Sequence, residues 1–187
     1  MPARLDLESF YGKTVPDIIA PHLRVLFCGI NPSLMSAARR CHFARPGNRF
    51  WPALYLSGFT TRLLRPDENR ELLKYGLGIT NLVARATRGA AELSPGEFVR
   101  GARTLADKCR KYHPRFVAVL GLGAYRVGFD EPRAKLGVQQ RRIGGGAVYV
   151  LPNPSGLNAH FTPKRFAEVF QAFRQYVEHC EAVESEP

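Results

Sequence analysis

Apolar residues in this chain come in short runs that stop at Gly, Asn or Pro. Four runs, over residues 24–30, 76–82, 116–120 and 147–151, are partly β-branched or aromatic and predict core strands. Between them the spacing changes. Phe98, Ala102, Leu105, Cys109 and Tyr112 recur at helical intervals, with Arg100, Arg103, Lys108, Arg110 and Lys111 largely on other faces. This helix has a start signal: Ser94 caps, Pro95 takes the first position and Glu97 the third. A second helix is predicted over 49–57, capped by Asn48 and packing Phe50 and Leu54 inward. A last helix begins at Thr162-Pro163 and buries Phe166, Val169, Phe170, Phe173 and Val177. Strands alternating with helices imply an α/β protein, a three-layer α/β/α sandwich on a short, mainly parallel sheet of four or five strands. The 187 residues show neither repeat nor linker. They predict a single domain, with 1–20 as a peripheral segment around the core and 181–187 as a frayed acidic tail.

Charge adds a second pattern. The chain carries 27 basic and 16 acidic residues, a net charge of +11, and the basic excess is unevenly spread. No acid lies between Asp17 and Asp67, a window holding Arg24, Arg39, Arg40, Arg45, Arg49, Arg62 and Arg65. None lies between Glu131 and Glu168 either, where Arg133, Lys135, Arg141, Arg142, Lys164 and Arg165 stand. A polyanionic partner explains both windows, because each neutralised phosphate releases counterions. Charge alone fits solvated arginines equally well. Cys28, Cys41, Cys109 and Cys180 show no metal-ligand spacing, so buried thiols in a reducing compartment are expected, with no metal or other cofactor. No apolar stretch is of membrane-spanning length and the first residues read as no secretory signal. The expectation is a cytoplasmic monomer, nucleoid-associated if it binds DNA.

Both acid-free windows contain a polar turn directly after a predicted strand: Gly29-Ile30-Asn31-Pro32-Ser33 and Asn153-Pro154-Ser155-Gly156-Leu157-Asn158. Ligands of parallel α/β sheets collect at the carboxyl ends of strands, so the two turns are expected to meet at one sheet edge. Pro32 biases Asn31 toward an extended backbone, which makes its carboxamide a positioned group that can orient a water. Gly29 permits close approach, and N–H groups after it can face a departing anion. An Asn-Pro turn of no catalytic meaning fits the same residues. In the second turn, Leu157 stands at the tip of a polar, basic loop. It suits a wedge between base steps, with Ser155 and Asn158 near base edges, or a leucine folded back on its own loop. A third segment, 42–49, sets Phe43 beside Arg45, Asn48 and Arg49 at a helix start, where a base can stack and a phosphate be held. Phe43 as ordinary core competes with that reading. Gly121-Leu122-Gly123 lacks the third glycine and the acid of a dinucleotide fingerprint.

Taken in order, Gly29-Ile30-Asn31-Pro32, His42-Phe43, Pro46-Gly47-Asn48-Arg49-Phe50-Trp51, Gly78-Ile79-Thr80-Asn81 and Asn153-Pro154-Ser155-Gly156-Leu157 resemble the mismatch-specific uracil/thymine DNA glycosylase family. The likeness spans roughly residues 21–173. It implies an α/β/α sandwich and a monofunctional hydrolase that flips uracil or thymine, mainly opposite guanine, and cleaves its N-glycosidic bond during base excision repair. By the same resemblance Asn31 positions the water, Ile30 meets the base through backbone N–H groups and Phe43 stacks on it. Asn81 lines the pocket, Leu157 fills the gap left by the flipped nucleotide, and Gly156 and Asn158 flank it at the widowed guanine. Gly29 and Ser33 complete the pocket, Ser33 standing where the family usually has Gly. Arg45, Asn48, Lys164 and Arg165 are the expected phosphate contacts. Glu92, the nearest acid beyond the Asn81 strand end, is either an auxiliary base or a solvated loop residue. The partner implied is double-stranded DNA with G·U or G·T mismatches. Two other classes remain: a nucleotide-binding α/β enzyme on the same strand ends, and a non-catalytic module sensing mismatches through Leu157.

Overall fold

The structure is a computed structural model that describes residues 6–156 and 161–185. Its centre is a five-stranded sheet in the order β2-β1-β3-β5-β4. The strands are β1 (Val25–Gly29), β2 (Leu77–Asn81), β3 (Phe116–Leu120), β4 (Gly137–Ile143) and β5 (Gly146–Leu151). β1, β2, β3 and β5 run parallel, and β4 joins β5 as an antiparallel edge. The helices are α1 (Leu34–Arg39), α2 (Phe50–Leu56), α3 (Pro95–Tyr112), α4 (Leu122–Gly128) and α5 (Pro163–Ser185).

Alternation along the strands sorts the core into two layers, since successive side chains leave opposite faces of the sheet. Val25 and Phe27 of β1 point to the face covered by α2 and α5, where they meet Phe50, Leu54, Phe166, Phe170 and Phe173. Leu26 and Cys28 point to the other face, covered by α3 and α4, with Leu105, Cys109, Ala124 and Tyr125. The α/β/α sandwich expected from the sequence is the observed architecture. Phe27 is the hub of the first layer, its ring against those of Phe50, Phe59, Phe170 and Phe173 at 5.3–6.1 Å.

Local signals account for most boundaries. Ser94 and Glu97 form a reciprocal capping box at the start of α3 with Pro95 in the first turn. Asn48 Oδ1 accepts from Phe50 N at 3.0 Å and fixes the start of α2. Three features differ from the sequence expectation. β4 carries Val-Gln-Gln-Arg-Arg, mostly exposed, and has a register irregularity between Val138 and Arg142. It has no apolar run to betray it. α1 follows the first polar turn unannounced, with the Ser33 side chain accepting from Ser36 N. Glu181, expected in a frayed tail, lies inside α5, where its carboxylate takes two hydrogen bonds from Arg24 at 2.8 and 2.7 Å. Glu184 pairs likewise with Arg115 at 2.5 Å. The basic end of the sheet thus holds the acidic end of the helix.

The described residues before β1 form a strap that buries Val15 and Ile18. Ile18 and Ile79 exchange both backbone hydrogen bonds, 2.9 and 2.8 Å, and so cover the outer edge of β2. Removing the Phe27 ring leaves a void inside a ring of four aromatics. Phe27→Ala is therefore expected to cost about 3–5 kcal/mol, read as a fall in the urea midpoint with little change in slope.

Candidate active site

The carboxyl ends of β1, β2 and β5 open into one cavity of about 170 Å³. That is below the roughly 300–1,000 Å³ of sites for drug-sized ligands and suits a single planar ring. Ile30, Asn31, Pro32 and Ser33 line it from the first turn, Asn153 and Ser155 from the second, and His42, Phe43, Arg45 and Asn48 from the third segment. Asn81, Thr87 and Arg88 close it from the β2 side. The two polar turns do meet, although β3 separates their strands. Contact between the second turn and the 45–49 loop is direct. Arg49 N donates to Pro154 O at 2.9 Å, and a side chain on Gly156 would fall 2.6 Å from Gly47 O. Only glycine fits there.

Asn31 is the most tightly specified polar group. Its Nδ2 lies 2.8 Å from Thr87 Oγ1, 3.1 Å from Arg85 O and 3.3 Å from Pro32 O. Two of these partners are carbonyls, which only accept. Thr87 spends its single hydroxyl proton on Gly89 O at 2.9 Å, so it too must accept from Asn31. The carboxamide therefore has one orientation, nitrogen toward the 85–89 loop, and Oδ1 is the atom left to work on a water. Thr87 is buried, and its backbone N–H donates to Pro32 O at 3.2 Å, which ties the loop to the first turn. Sequence reasoning missed Thr87. Its only signal is a hydroxyl six residues beyond Asn81.

Gly29 and Asn81 are paired in register across β1 and β2. A Cβ on Gly29 would meet Asn81 Oδ1 at 2.6 Å and the Phe43 ring at 3.1 Å, so the glycine makes room for both. Phe43 is core and cavity wall at once: its ring stacks on Phe50 at 4.2 Å and also lines the cavity. Its backbone sits in the left-handed region at φ 54, which a bulky residue rarely adopts and which marks a site held in place by its surroundings. His42 behind it is 2 % exposed, and burial pushes its imidazole below the ordinary histidine range.

No described residue lining the cavity bears a carboxylate; the charged groups are Arg45 and Arg88. Glu92 does not line it. Its carboxylate lies 3.8 Å from Arg88 Nη1, and Arg88 also pairs with Glu8 at 2.5 Å. Ile30, Ser33 and Ser155 stand where the sequence places them, Ser33 with its hydroxyl engaged in the α1 cap. Lys164 and Arg165 are exposed in the first turn of α5, which contains no acid to offset the positive helix end. Leu157 and Asn158 lie outside the described residues. No group of three or more His, Cys, Asp or Glu among the described residues could hold a metal ion, and no helix among them is long and apolar enough to cross a membrane.

A sequence profile of the uracil DNA glycosylase superfamily matches residues 16–174, and so takes in every described element that lines the cavity. Among solved structures, the fold is similar to a solution NMR structure from Methanosarcina acetivorans that carries a provisional uracil DNA glycosylase assignment. The identity is 17%, the TM-score 0.57, and the match covers 90% of this chain and 99% of that one.

The 85–89 loop that holds Asn31 is itself held by an ion pair, Arg85 Nε to Glu97 Oε1 at 2.6 Å. The Arg85 hydrogen bond keeps the Glu97 carboxyl at about 2, below its ordinary value of 4.5. A carboxylate depressed in the folded state contributes stability that is complete above the unfolded value and lost as pH falls toward the folded one. Wild-type stability should therefore decline between about pH 4.5 and 2 more steeply than that of Glu97→Gln, as read from urea midpoints across that interval.

Proposed function

The chain belongs to the uracil DNA glycosylase superfamily, and from that premise we propose that it hydrolyses the N-glycosidic bond of uracil in DNA, with a preference for uracil mispaired with guanine. The observation that carries the reading is Asn31: three acceptors fix its nitrogen, so its Oδ1 is set to align a water with the sugar carbon. A neutral carboxamide takes no proton at neutral pH, and no described residue of the cavity wall offers a carboxylate to do so. Catalysis then rests on positioning and on stabilising the charge that leaves with the base. Uracil departs as an anion, which backbone N–H groups after Gly29 and the positive charge of Arg45 favour.

Base flipping supplies the rest of the cycle. A base inside a duplex is out of reach, and extruding it costs a few kcal/mol, less for a wobble pair. Preference for G·U, and for G·T if the methyl group is admitted, then follows from the weakened pair. Phe43 offers the flipped ring a stacking face and Asn81 a hydrogen-bonding edge. In this reading Ser155 and Gly156 with Leu157 and Asn158 fill the vacated stack. Arg45, Asn48, Lys164 and Arg165 grip the phosphates, and cations in the first turn of α5 gain an anionic partner. Glu92, engaged with Arg88, is left without a part in proton transfer.

The decisive assay is incubation with a G·U duplex in EDTA, then alkali and a gel, where cleavage at the abasic site is expected. Asn31→Ala should lower single-turnover release about 10²-fold or more while duplex affinity stays close to wild type; loss of binding in parallel would argue against its assigned role. Thr87→Val keeps the shape and removes one acceptor, so an intermediate loss of about tenfold is expected in the same assay. Leu157→Ala should weaken retention of the abasic product, measured by product dissociation, and no change there would remove the wedge.

A further inference from the structure

The orientation of the second carboxamide at the site, Asn81, is set by a histidine whose proton position can be deduced. His42 Nε2 lies 2.8 Å from Pro16 O, a carbonyl that can only accept. The ring proton is therefore on Nε2, and Nδ1 is a bare acceptor. Asn81 Nδ2 lies 3.2 Å from Nδ1. With Nδ1 accepting, the nitrogen end of the carboxamide must face the ring. The opposite edge, Oδ1 beside Gly29 together with the second N–H, then has one fixed polarity where Asn81 lines the cavity.

On the reading of this cavity as a uracil pocket, we propose that His42 is a positioning residue for base specificity. By accepting from Asn81 Nδ2 it holds the carboxamide in the order that pairs with N3–H and O4 of uracil or thymine. Cytosine presents the reverse order, an acceptor at N3 and a donor at N4, and is refused. Without His42 the two ends of the amide would be nearly equivalent in shape, and a half-turn would give the cytosine-compatible order.

The surroundings keep the histidine from turning. Trp51 Nε1 donates to His42 O at 3.2 Å. Pro16 sits on the strap, and its neighbour Asp17 is pinned to the sheet: Oδ1 accepts from Thr80 Oγ1 at 2.8 Å and Oδ2 pairs with Lys108 Nζ at 2.6 Å. Ile18 follows with its two bonds to Ile79. The charged groups acting on His42 are Asp17 from the strap, which favours a proton, and Lys108 from α3, which opposes it; burial outweighs both and keeps the ring neutral. A second ring proton on Nδ1 would meet the Asn81 N–H and favour the reversed carboxamide. Acidification should therefore erode uracil preference in the wild type.

His42→Leu, compared with wild type on duplexes carrying uracil or 5-fluorocytosine opposite guanine, tests this. The expected result is slower uracil release and a fall of about tenfold or more in the uracil to 5-fluorocytosine rate ratio. The wild-type ratio should also fall as pH is lowered, and that of the variant should not. An unchanged ratio in a folded His42→Leu that still releases uracil would overturn the role of His42 and leave the proposed activity standing. No uracil release by the wild type would overturn the reading beneath it, and this inference with it. Should the variant not fold, nitrogen-15 shifts of the wild-type imidazole decide: a neutral Nε2–H tautomer at pH 7 is expected, and a proton on Nδ1 overturns the proposal.

Discussion

One carboxamide nitrogen joins the two halves of the cavity. Asn31 stands in the turn after β1, and the three acceptors around its Nδ2 belong to that turn and to the loop after β2. Where that loop lies decides where Asn31 Oδ1 lies. The loop in turn is set by the parallel pairing of β1 with β2, which continues past the strand ends as Leu82 N to Gly29 O and Val83 N to Ile30 O, at 2.8 and 2.9 Å. The Arg85–Glu97 pair then secures it to the first turn of α3. A side chain at a strand end is usually only as rigid as its turn. Here the sheet ladder, a loop and a helix start all bear on one side chain.

The described cavity wall is mostly amide, hydroxyl and aromatic with a neutral histidine, and its two arginines, Arg45 and Arg88, are exposed. Many of the chain's arginines are already matched. Arg24 and Arg115 engage α5, Arg85 engages α3, and Arg88 engages Glu8 and Glu92. The net charge therefore overstates what is available to a polyanion. Arg45 at the cavity and Lys164 and Arg165 in the first turn of α5 are exposed. Within the acid-free windows, Arg24, Arg62, Arg65 and Arg141 are likewise paired with carboxylates from elsewhere in the chain.

The legible part of the fold was whatever depends on side-chain periodicity. Four buried strands and the helices starting at Asn48, Ser94 and Thr162 all leave apolar or capping signatures, and each is found close to its predicted bounds. β4 left none, because an exposed edge strand needs no apolar face and its bulge breaks alternation. The acidic end of α5 looked like a tail because its stabilisation is an ion pair with Arg24, 157 residues away. At the site, motif residues Asn31, Phe43, Asn81 and Ser155 could be read directly, and the structure gathers them. Thr87 and His42 in its role beside Asn81 could not, since what matters in each is a proton position set by contacts distant in sequence.

The same logic governs both carboxamides. An amide side chain has two ends of nearly equal shape, so a site that depends on which end is which must surround it with groups that cannot swap roles. Water or a free hydroxyl would serve badly, because either can donate or accept. Around Asn31 the partners are two backbone carbonyls and a threonine whose proton is already spent. Around Asn81 the partner is a histidine whose proton is spent on a third carbonyl. Backbone carbonyls therefore supply the polarity of the site, directly for one amide and through one ring for the other. The carbonyls carry no residue identity, so chains with different side chains at positions 16 and 85 can preserve this orientation, provided those segments keep their path and the hydroxyl at position 87 is retained.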